Sequence, residues 1–285
     1  MSVTVRFVRD DNQEFFLDGK TWKIPNDGLE GFDYIDTEIK TLEKANGDGS
    51  FYQSTQIKEK DRTIIAELQD RTLNKIMRER VRSFFGIKRT FTVYINYDGI
   101  ERKFNGYVYA FKLPTENIYV PLKLTVTILS VQPYLLSVDE FGQNIGERYA
   151  KFGFPYPSIV DKGFVFSVVK YAQSAILKND GDVYTYPRVV IHANGEIVYP
   201  KIMINDKYIQ YNNTLKDEDV LVIDLTGDYP SVRLNNNNVI GRTDRRSDFE
   251  DFKIEIGDND FSYTAQSGAN LMDVTIYFNK RYGGL

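Results

Sequence analysis

The sequence predicts a mainly β protein of two domains with one α-helix. Short runs of alternating apolar and polar residues recur along the chain, and a single segment has helical periodicity. Tyr and Phe, which favour strands, number 20 and 19 among 285 residues. We expect an N-terminal β-sandwich or split-barrel-like domain at 1–140, a linker at 141–157 and a C-terminal β-sandwich of the jelly-roll type at 158–285.

The first half begins with strands. Val3, Val5 and Phe7 alternate with polar residues, which is the pattern of a half-buried strand. Segment 46–50, Asn-Gly-Asp-Gly-Ser, predicts a loop tip because glycine tolerates positive φ. Further short apolar or extended runs lie at 15–17, 22–25, 35–42 and 64–68.

A helix is predicted near 71–85, where the apolar period changes to three and four residues. Asp70 or Thr72 can cap its start and Gly86 can end it. Glu79 and Arg82 fall largely on the opposite, solvated face. The apolar face consists of Leu73, Ile76, Met77, Val81, Phe84 and Phe85.

Two strands and a turn follow the helix. Segments 90–97 and 100–104 flank Asp98-Gly99, which is a strong hairpin signal. Residues 122–128 alternate again and predict a long strand with one wet face. Segment 141–157 is rich in Gly, Tyr and Pro, with weak periodicity, and is therefore the expected linker.

The second half contains only strand patterns. Asn194-Gly195 suits a type I′ turn after the apolar run at 189–191, and the four asparagines at 235–238 suit a hairpin tip. Many short strands with turn signals and no helical stretch favour a sandwich or jelly roll.

Composition excludes several classes of protein. The formal net charge is −4, and the signs are interspersed along the sequence without an evident basic stripe, so a dedicated nucleic-acid binder is not expected. The chain has no Cys, which removes disulfides and thiolate chemistry. Neither a signal peptide nor a membrane-spanning apolar run is predicted, so no membrane partner is expected.

The residues needed for catalysis or metal binding are not found together. The single histidine, His192, fits a structural role at the end of a strand. The loop at 46–50 fails as an EF-hand because Lys44 and Thr55 stand where the first and twelfth ligands belong. Asx turn chemistry explains the cluster at 258–260, Asp-Asn-Asp, more simply than an ion does. We therefore predict no catalytic, cofactor-binding or metal-binding residue, and no cofactor.

Several local patterns, in their order along the chain, resemble the distal tail protein family of siphovirus-type phages and prophages. The resemblance spans most of the chain and is densest in residues 1–136. The matching segments are Gly-Lys-Thr-Trp at 19–22, Thr-Ile-Ile-Ala at 63–66, Arg-Ser-Phe-Phe at 82–85, Arg-Thr-Phe-Thr-Val at 89–93, the strand at 122–128 with Gln-Pro-Tyr at 132–134, and the close at 274–282.

The resemblance implies a structural protein of the virion tail tip, assembled in the bacterial cytoplasm, and not an enzyme. The N-terminal domain would form a homo-hexameric ring around the channel through which DNA passes, without specific nucleic-acid binding. The C-terminal domain would be galectin-like, and the last strand at 274–285 could pack on the first domain. The implied partners are the tail tube protein, the tape measure protein, the tail-associated lysin or tail fibre, and receptor-binding proteins.

Two other classes of function stay open from the sequence. A carbohydrate-binding module for host-surface recognition would use the second domain, although it offers His192 without a tryptophan for stacking. A cell-wall hydrolase would need a pair of carboxylates that nothing singles out. If the chain forms a ring, the alternating segments 62–68 and 122–128 would suit inter-subunit contacts.

Overall fold

The computed structural model of the chain describes residues 3–33, 35–86, 88–114, 119–150, 167–171, 173–227 and 229–285. The chain divides into two compact units. Unit 1 comprises Met1–Val138 and Arg281–Leu285, and unit 2 comprises Asp139–Lys280. Within the described residues, no helix has the length and apolar character that crossing a membrane requires.

Unit 1 is built on one large antiparallel sheet. The strands run in the order β2-β1-β8-β9-β10-β7-β3, and β4 also pairs with β7. The strands are β1 (Val3–Arg9), β2 (Glu14–Leu17), β3 (Trp22–Lys23), β4 (Leu29–Glu30), β5 (Glu38–Glu43), β6 (Ser50–Gln56), β7 (Lys60–Leu68), β8 (Thr90–Tyr97), β9 (Ile100–Lys112), β10 (Lys123–Ser130) and β11 (Leu135–Ser137).

A tight turn between β2 and β3 brings the two ends of this sheet together. The Asp18 carboxylate accepts hydrogen bonds from the backbone N–H groups of Lys20, Thr21 and Trp22 at 2.7–3.1 Å. Because β2 lies at one edge of the sheet and β3 at the other, this turn curls the sheet into a nearly closed barrel.

The helix α1 (Asn74–Phe84) packs on the barrel through aromatic side chains. A 3₁₀ turn at Arg71–Leu73 precedes it, and Asp70 caps that turn by accepting from the backbone N–H of Thr72 at 2.8 Å. Phe84 and Phe85 are buried, and their rings contact the rings of Phe15 and Phe91 at 5.4–5.7 Å between centroids. The prediction of a helix near 71–85 is therefore confirmed.

Unit 2 is a sandwich of two main sheets. A six-stranded sheet has the order β12-β25-β16-β21-β22-β23, and a four-stranded sheet has the order β15-β24-β18-β19. The strands are β12 (Phe141–Asn144), β13 (Gly146–Ala150), β14 (Ser167–Tyr171), β15 (Ser174–Asn179), β16 (Arg188–Ala193), β17 (Ile197–Val198), β18 (Lys201–Ile204), β19 (Lys207–Gln210), β20 (Thr214–Leu215), β21 (Val220–Asp224), β22 (Ser231–Leu234), β23 (Asn237–Asn238), β24 (Gly257–Thr264) and β25 (Met272–Phe278).

One apolar core lies between these two sheets. Val189, Ile191 and Val274 enter it from the six-stranded sheet, and Ile202 and Phe261 enter it from the four-stranded sheet. Each is at most 1% exposed, as the alternation of the strands requires. The predicted fold class, mainly β with one α-helix and a β-rich second domain, is confirmed in the described residues, and the galectin-like character of the sandwich stays a prediction.

The chain returns to unit 1 after leaving unit 2. Strand β26 (Arg281–Tyr282) pairs with β11, with Leu135 opposite Tyr282, and Leu285 packs against the unit 1 core. The segment 274–285, which was expected to be one last strand, is thus divided. Its first part belongs to β25 in unit 2, and only residues 281–285 belong to unit 1.

The expected linker at 141–157 begins instead with two strands. Phe141–Asn144 forms β12, hydrogen-bonded along β25, and Gly146–Ala150 forms β13. The Phe141 ring packs on that of Phe278 at 4.8 Å, a pairing between distant residues that local periodicity does not reveal. Residues 151–157 lie outside the described residues.

The turn prediction at Asn194-Gly195 is wrong. Gly195 has a positive φ of 142°, but Asn194 does not belong to the residues with positive φ, as a type I′ turn requires. The flanking strands β16 and β17 also pair with other strands and not with each other. The separate prediction of a hairpin tip within 235–238 is confirmed, because Asn235 and Asn236 have φ values of 47° and 69° between β22 and β23.

A glycine is required where the chain enters β25. Gly268 has φ +78°, and a Cβ there would lie 2.3 Å from the carbonyl oxygen of Glu196. Any larger residue would therefore push the 3₁₀ turn at Ala269–Leu271 away from the neighbouring strand.

Candidate functional site

His192 stands apart from any catalytic arrangement. It is exposed on β16, with Val220 and Asp273 as its neighbours on the adjacent strands. Among the described residues, no three side chains of the types His, Asp and Glu cluster closely enough to hold a metal ion. The histidine therefore occupies an ordinary position on the outer face of a sheet.

The acidic cluster at 258–260 lies at the start of strand β24, paired with β15. The Asn259 side chain is buried, and its amide donates to the carbonyl oxygens of Glu255 and Gly257 at 2.8 and 3.1 Å. Its carbonyl accepts from the backbone N–H of Glu255 and from the Asn205 side chain at 2.9 and 3.1 Å. These four bonds occupy the asparagine fully, but three of them reach back to residues 255 and 257 and do not form the predicted Asx turn.

Three carboxylates line a depression of about 340 Å³ in unit 2, those of Asp206, Asp251 and Glu255, and two of them face lysines. Lys253 Nζ lies 3.3 Å from Glu255, and Lys207 Nζ lies 3.9 Å from Asp206. A glycosidase would instead need two carboxylates facing each other across a cleft. This depression therefore does not have the arrangement of a hydrolytic site.

Tyr277, an aromatic side chain on the same sheet face as His192, is already covered. The guanidinium of Arg188 lies 4.7 Å from the ring centre of Tyr277, and it also forms a two-pronged ion pair with Glu140 at 2.8 and 3.0 Å. Because sugar recognition by stacking needs a free aromatic face, this cluster does not favour a carbohydrate platform.

Arg9 joins the helix to the barrel. Its guanidinium donates to the carbonyl oxygens of Ser83 and Phe84 at 3.0 and 2.9 Å, so it caps the end of α1. It also contacts both carboxylate oxygens of Asp11 at 2.6 and 2.9 Å. The hydrogen bond from Arg9 lowers the pKa of Asp11 to about 2. Gly86, the predicted end signal, has no positive φ.

The exposed side of the 3₁₀ turn and α1 carries more basic than acidic residues, with Glu79 lying between Lys75 and Arg82. Arg71, Lys75 and Arg82 recur at helical spacing and are exposed. None of the three forms an ion pair in the described part of the chain. Sequence reasoning missed this surface because the charges were averaged over the chain and not over the helix face.

Strands β5 and β6 form a two-stranded hairpin, which we call the arm (residues 38–56). Every residue of both strands is exposed. Its large apolar side chains are 55–66% exposed, namely Ile39, Leu42, Phe51 and Tyr52. The loop at Asn46–Ser50 is the tip of this hairpin, as predicted, and Lys44 Nζ donates there to the Asp48 carbonyl oxygen at 3.3 Å.

We call the outer surface of the barrel across β7, β10 and β9 the barrel face (Thr63, Ile65, Tyr107, Tyr109, Thr127 and Leu129). These residues are uncharged, but Asp61 lies on the same side, opposite Leu129. Tyr107 and Tyr109 are 48% and 60% exposed. Tyr107 lies opposite Leu129 in the sheet register, and the hydroxyls of Thr63 and Thr127 are 3.3 Å apart. Burial and a hydrogen bond to Asp61 raise the pKa of Tyr109.

The backbone edges of β7 and β10 are not free for inter-subunit contacts. These two strands pair with each other from Lys123–Glu67 to Ser130–Lys60, while β9 and the β3 and β4 strands occupy parts of their other edges. The suggestion drawn from segments 62–68 and 122–128 therefore applies to their outward side chains and not to their edges.

Comparison with known proteins follows the division into units. Residues 180–282, which lie mostly in unit 2, match the family described as siphovirus-type tail component, C-terminal domain. No curated protein matches the chain in sequence.

Solved structures match the fold over the whole chain. The Dit protein of phage SPP1, described as a paradigm of the hub adsorption apparatus in phages that infect Gram-positive bacteria, is 12% identical, with a TM-score of 0.68 over 99% of both chains. A chain of the phage P2 baseplate in its activated conformation with Ca is 9% identical, with a TM-score of 0.51 over 98% of both chains.

At this level of identity the likeness to solved structures concerns the fold, and the family match concerns the second unit. The family match and the likeness in fold agree with each other, and both agree with the order of motifs in the first half of the sequence. Residues 180–282 thus match the siphovirus-type tail component family, the chain has the fold of a phage distal tail protein, and the resemblance found in the sequence is confirmed.

Proposed function

We propose that the protein is a structural hub of a phage tail tip or baseplate and not an enzyme. The observation that carries this proposal is the agreement of the family match at 180–282 with a likeness in fold that extends over the whole chain. In this role, six copies form a ring through unit 1, around a channel that DNA crosses without specific binding. Unit 2 presents docking surfaces outward.

The exposed surfaces of unit 1 support an assembly role. The arm exposes large apolar side chains, whereas an isolated soluble domain seldom keeps contiguous apolar surface in water. The helix exposes basic side chains that form no ion pair within the described residues. The partners we propose are further copies of the chain, the tail tube and tape measure proteins, and the tail-associated lysin, tail fibre or receptor-binding proteins.

The mass of the purified protein in solution, measured over a range of concentrations, tests this proposal. A ring-forming hub gives a species of six subunits, or of two stacked rings, and negative-stain images show a central hole. A monomer at every concentration, together with specific binding on a glycan array, would favour a carbohydrate-binding module instead.

A further inference from the structure

Basic side chains are concentrated along α1 and the 3₁₀ turn before it. Residues 71–82 contain five basic residues and one acidic residue, Glu79. Four of the basic residues recur at spacings of three and four, which places them on one side of the helix, and we call them the basic helix face (Arg71, Lys75, Arg78 and Arg82). Three of the four are exposed, and Arg78 is half-buried.

This concentration of like charge is not relieved within the subunit. Like charges at this spacing repel one another along a helix. None of the four forms an ion pair with the described residues. Arg78 donates instead to the carbonyl oxygens of Leu113 and Pro114 at 3.3 and 2.7 Å. Opposite charge brought from outside the subunit would therefore stabilise this face.

Acidic side chains are concentrated on another part of unit 1. Between Lys23 and Lys40 the sequence contains five acidic residues and no basic one. Two of them, Asp36 and Glu38, pair with lysines at the base of the arm. The other three are exposed and form no ion pair in the described part of the chain, and we call them the acidic segment (Asp27, Glu30 and Asp33).

The helix begins at one end of β7, and the acidic segment lies toward the other. At the end of β7, Asn74 accepts from the backbone N–H of Leu122 at 3.2 Å, and Leu68 donates its backbone N–H to the Leu122 carbonyl oxygen at 2.9 Å. Glu30 lies opposite Thr63, near the start of β7. The five residues from 63 to 68 extend about 17 Å along the strand, so the opposite charges stay apart within one copy.

Two complementary surfaces at separate places on one subunit are what a closed ring requires. A ring of identical subunits forms when one surface of each copy docks on a different surface of the next copy. A two-fold contact of either surface with itself would set like charges against each other, which is unfavourable. A second copy of the chain in a head-to-tail contact supplies the opposite charge to both surfaces.

We infer that the basic helix face of one copy docks on the acidic segment of the next copy in the ring. This inference rests on the proposed ring function and names one pair of surfaces that closes the ring. Each copy contributes its helix to one neighbour and its acidic segment to the other.

Two charge-reversed variants test this contact. The helix-reversed variant is Arg71→Glu/Lys75→Glu/Arg82→Glu. The segment-reversed variant is Asp27→Lys/Glu30→Lys/Asp33→Lys. In each variant the two surfaces carry the same sign, so the protein concentration at which half of the subunits are assembled should rise at least about tenfold.

An equal mixture of the two variants should assemble again. The acidic helix of one variant then faces the basic segment of the other, and the basic helix of the second faces the acidic segment of the first. Native mass spectrometry should show alternating rings with three copies of each variant. The single variants Lys75→Glu and Glu30→Lys, mixed in the same way, repeat the test with a smaller perturbation and should show the same pattern at smaller magnitude.

A matched control makes the same change of charge as the segment-reversed variant at exposed acidic residues of unit 2, and it should assemble like the unmodified protein. This control is Asp217→Lys/Glu218→Lys/Asp258→Lys. The fluorescence of Trp22, which is buried in unit 1, verifies that each variant is folded. If the unmodified protein forms rings but the reversed variants assemble equally well, or their mixture does not recover, the charge contact is wrong and the ring function stands. If the unmodified protein is a monomer at every concentration, both are overturned.

Discussion

Replacing Phe85 with Ala should destabilise unit 1 more than any single change on its surface. The ring is 1% exposed at the junction of helix and barrel. Truncation of a buried Phe typically costs about 3–5 kcal/mol through lost transfer energy and the cavity left behind. Five aromatic rings lie 5.0–6.2 Å from that of Phe85, namely those of Phe7, Phe15, Phe84, Phe91 and Phe111.

These contacts place the expected loss of unfolding free energy at the upper end of that range, about 4–5 kcal/mol. Each aromatic pair adds about 0.5–1.5 kcal/mol beyond the burial of apolar area, and these contributions are only partly additive. The α1 helix would lose part of its docking surface as well, so we expect the change to loosen the helix before the barrel opens.

The assay is denaturant unfolding followed by tryptophan fluorescence. The chain has a single tryptophan, and Trp22 is buried in the same core, with its ring 6.1 Å from that of Phe15, so its signal reports unit 1 alone. The control is Phe16→Ala, at a residue that is 51% exposed on the same sheet. A loss for Phe85→Ala below about 1 kcal/mol, no larger than the control, would refute the packing argument.

Three further outcomes follow from single residues. The pKa of Asp11 is lowered from 3.8 to about 2, so the stability that its bond to Arg9 contributes is complete above about pH 4 and is lost as the pH falls toward 2. Asp11→Asn should flatten this acid dependence of the unfolding free energy in unfolding titrations. An unchanged slope would contradict the prediction. Gly268→Ala should destabilise unit 2 by about 1–3 kcal/mol, measured by calorimetry, because Gly268 has a positive φ and lies against the Glu196 carbonyl. The control Gly241→Ala has open space around it and should cost less than about 1 kcal/mol. Burial lowers the pKa of Arg62 to about 10, and two of its three guanidinium nitrogens are buried without a hydrogen-bond partner among the described residues. The third donates to the Pro133 carbonyl oxygen, and the group lies 4.8 Å from the centre of the Phe104 ring. Because an apolar side chain of similar size removes the cost of burying this charge, Arg62→Met should leave the unfolding free energy unchanged or raise it by up to about 2 kcal/mol, and a loss of about 3 kcal/mol would show that the charge is needed.

Local sequence signals predicted the elements that local interactions determine. The period of the apolar residues located α1, and Asp98-Gly99 located the β8–β9 turn, where both residues have positive φ, 50° and 91°. Asn194-Gly195 carried the same signal and gave no hairpin, because the strands around it find their partners far along the chain. Long-range pairing thus overrode a strong local preference.

The exposure of the arm and the capping of α1 by Arg9 could not be predicted in the same way. Ile39, Leu42, Phe51 and Tyr52 are residues that usually indicate a core, and nothing in their spacing shows that the arm stands away from it. The cap of α1 by Arg9 was equally hidden, because the two contacts join residues 74 and 75 positions apart. Contacts of this kind depend on the tertiary fold.

The return of the chain to unit 1 sets an order of events during synthesis. Strand β26 completes the pairing of β11, yet the ribosome makes it only after all of unit 2. Because domains fold as their residues emerge, unit 1 waits with one strand missing while unit 2 is translated. A shortened product that stops within unit 2 would therefore leave β11 without this neighbour and unit 1 without the packing of Leu285.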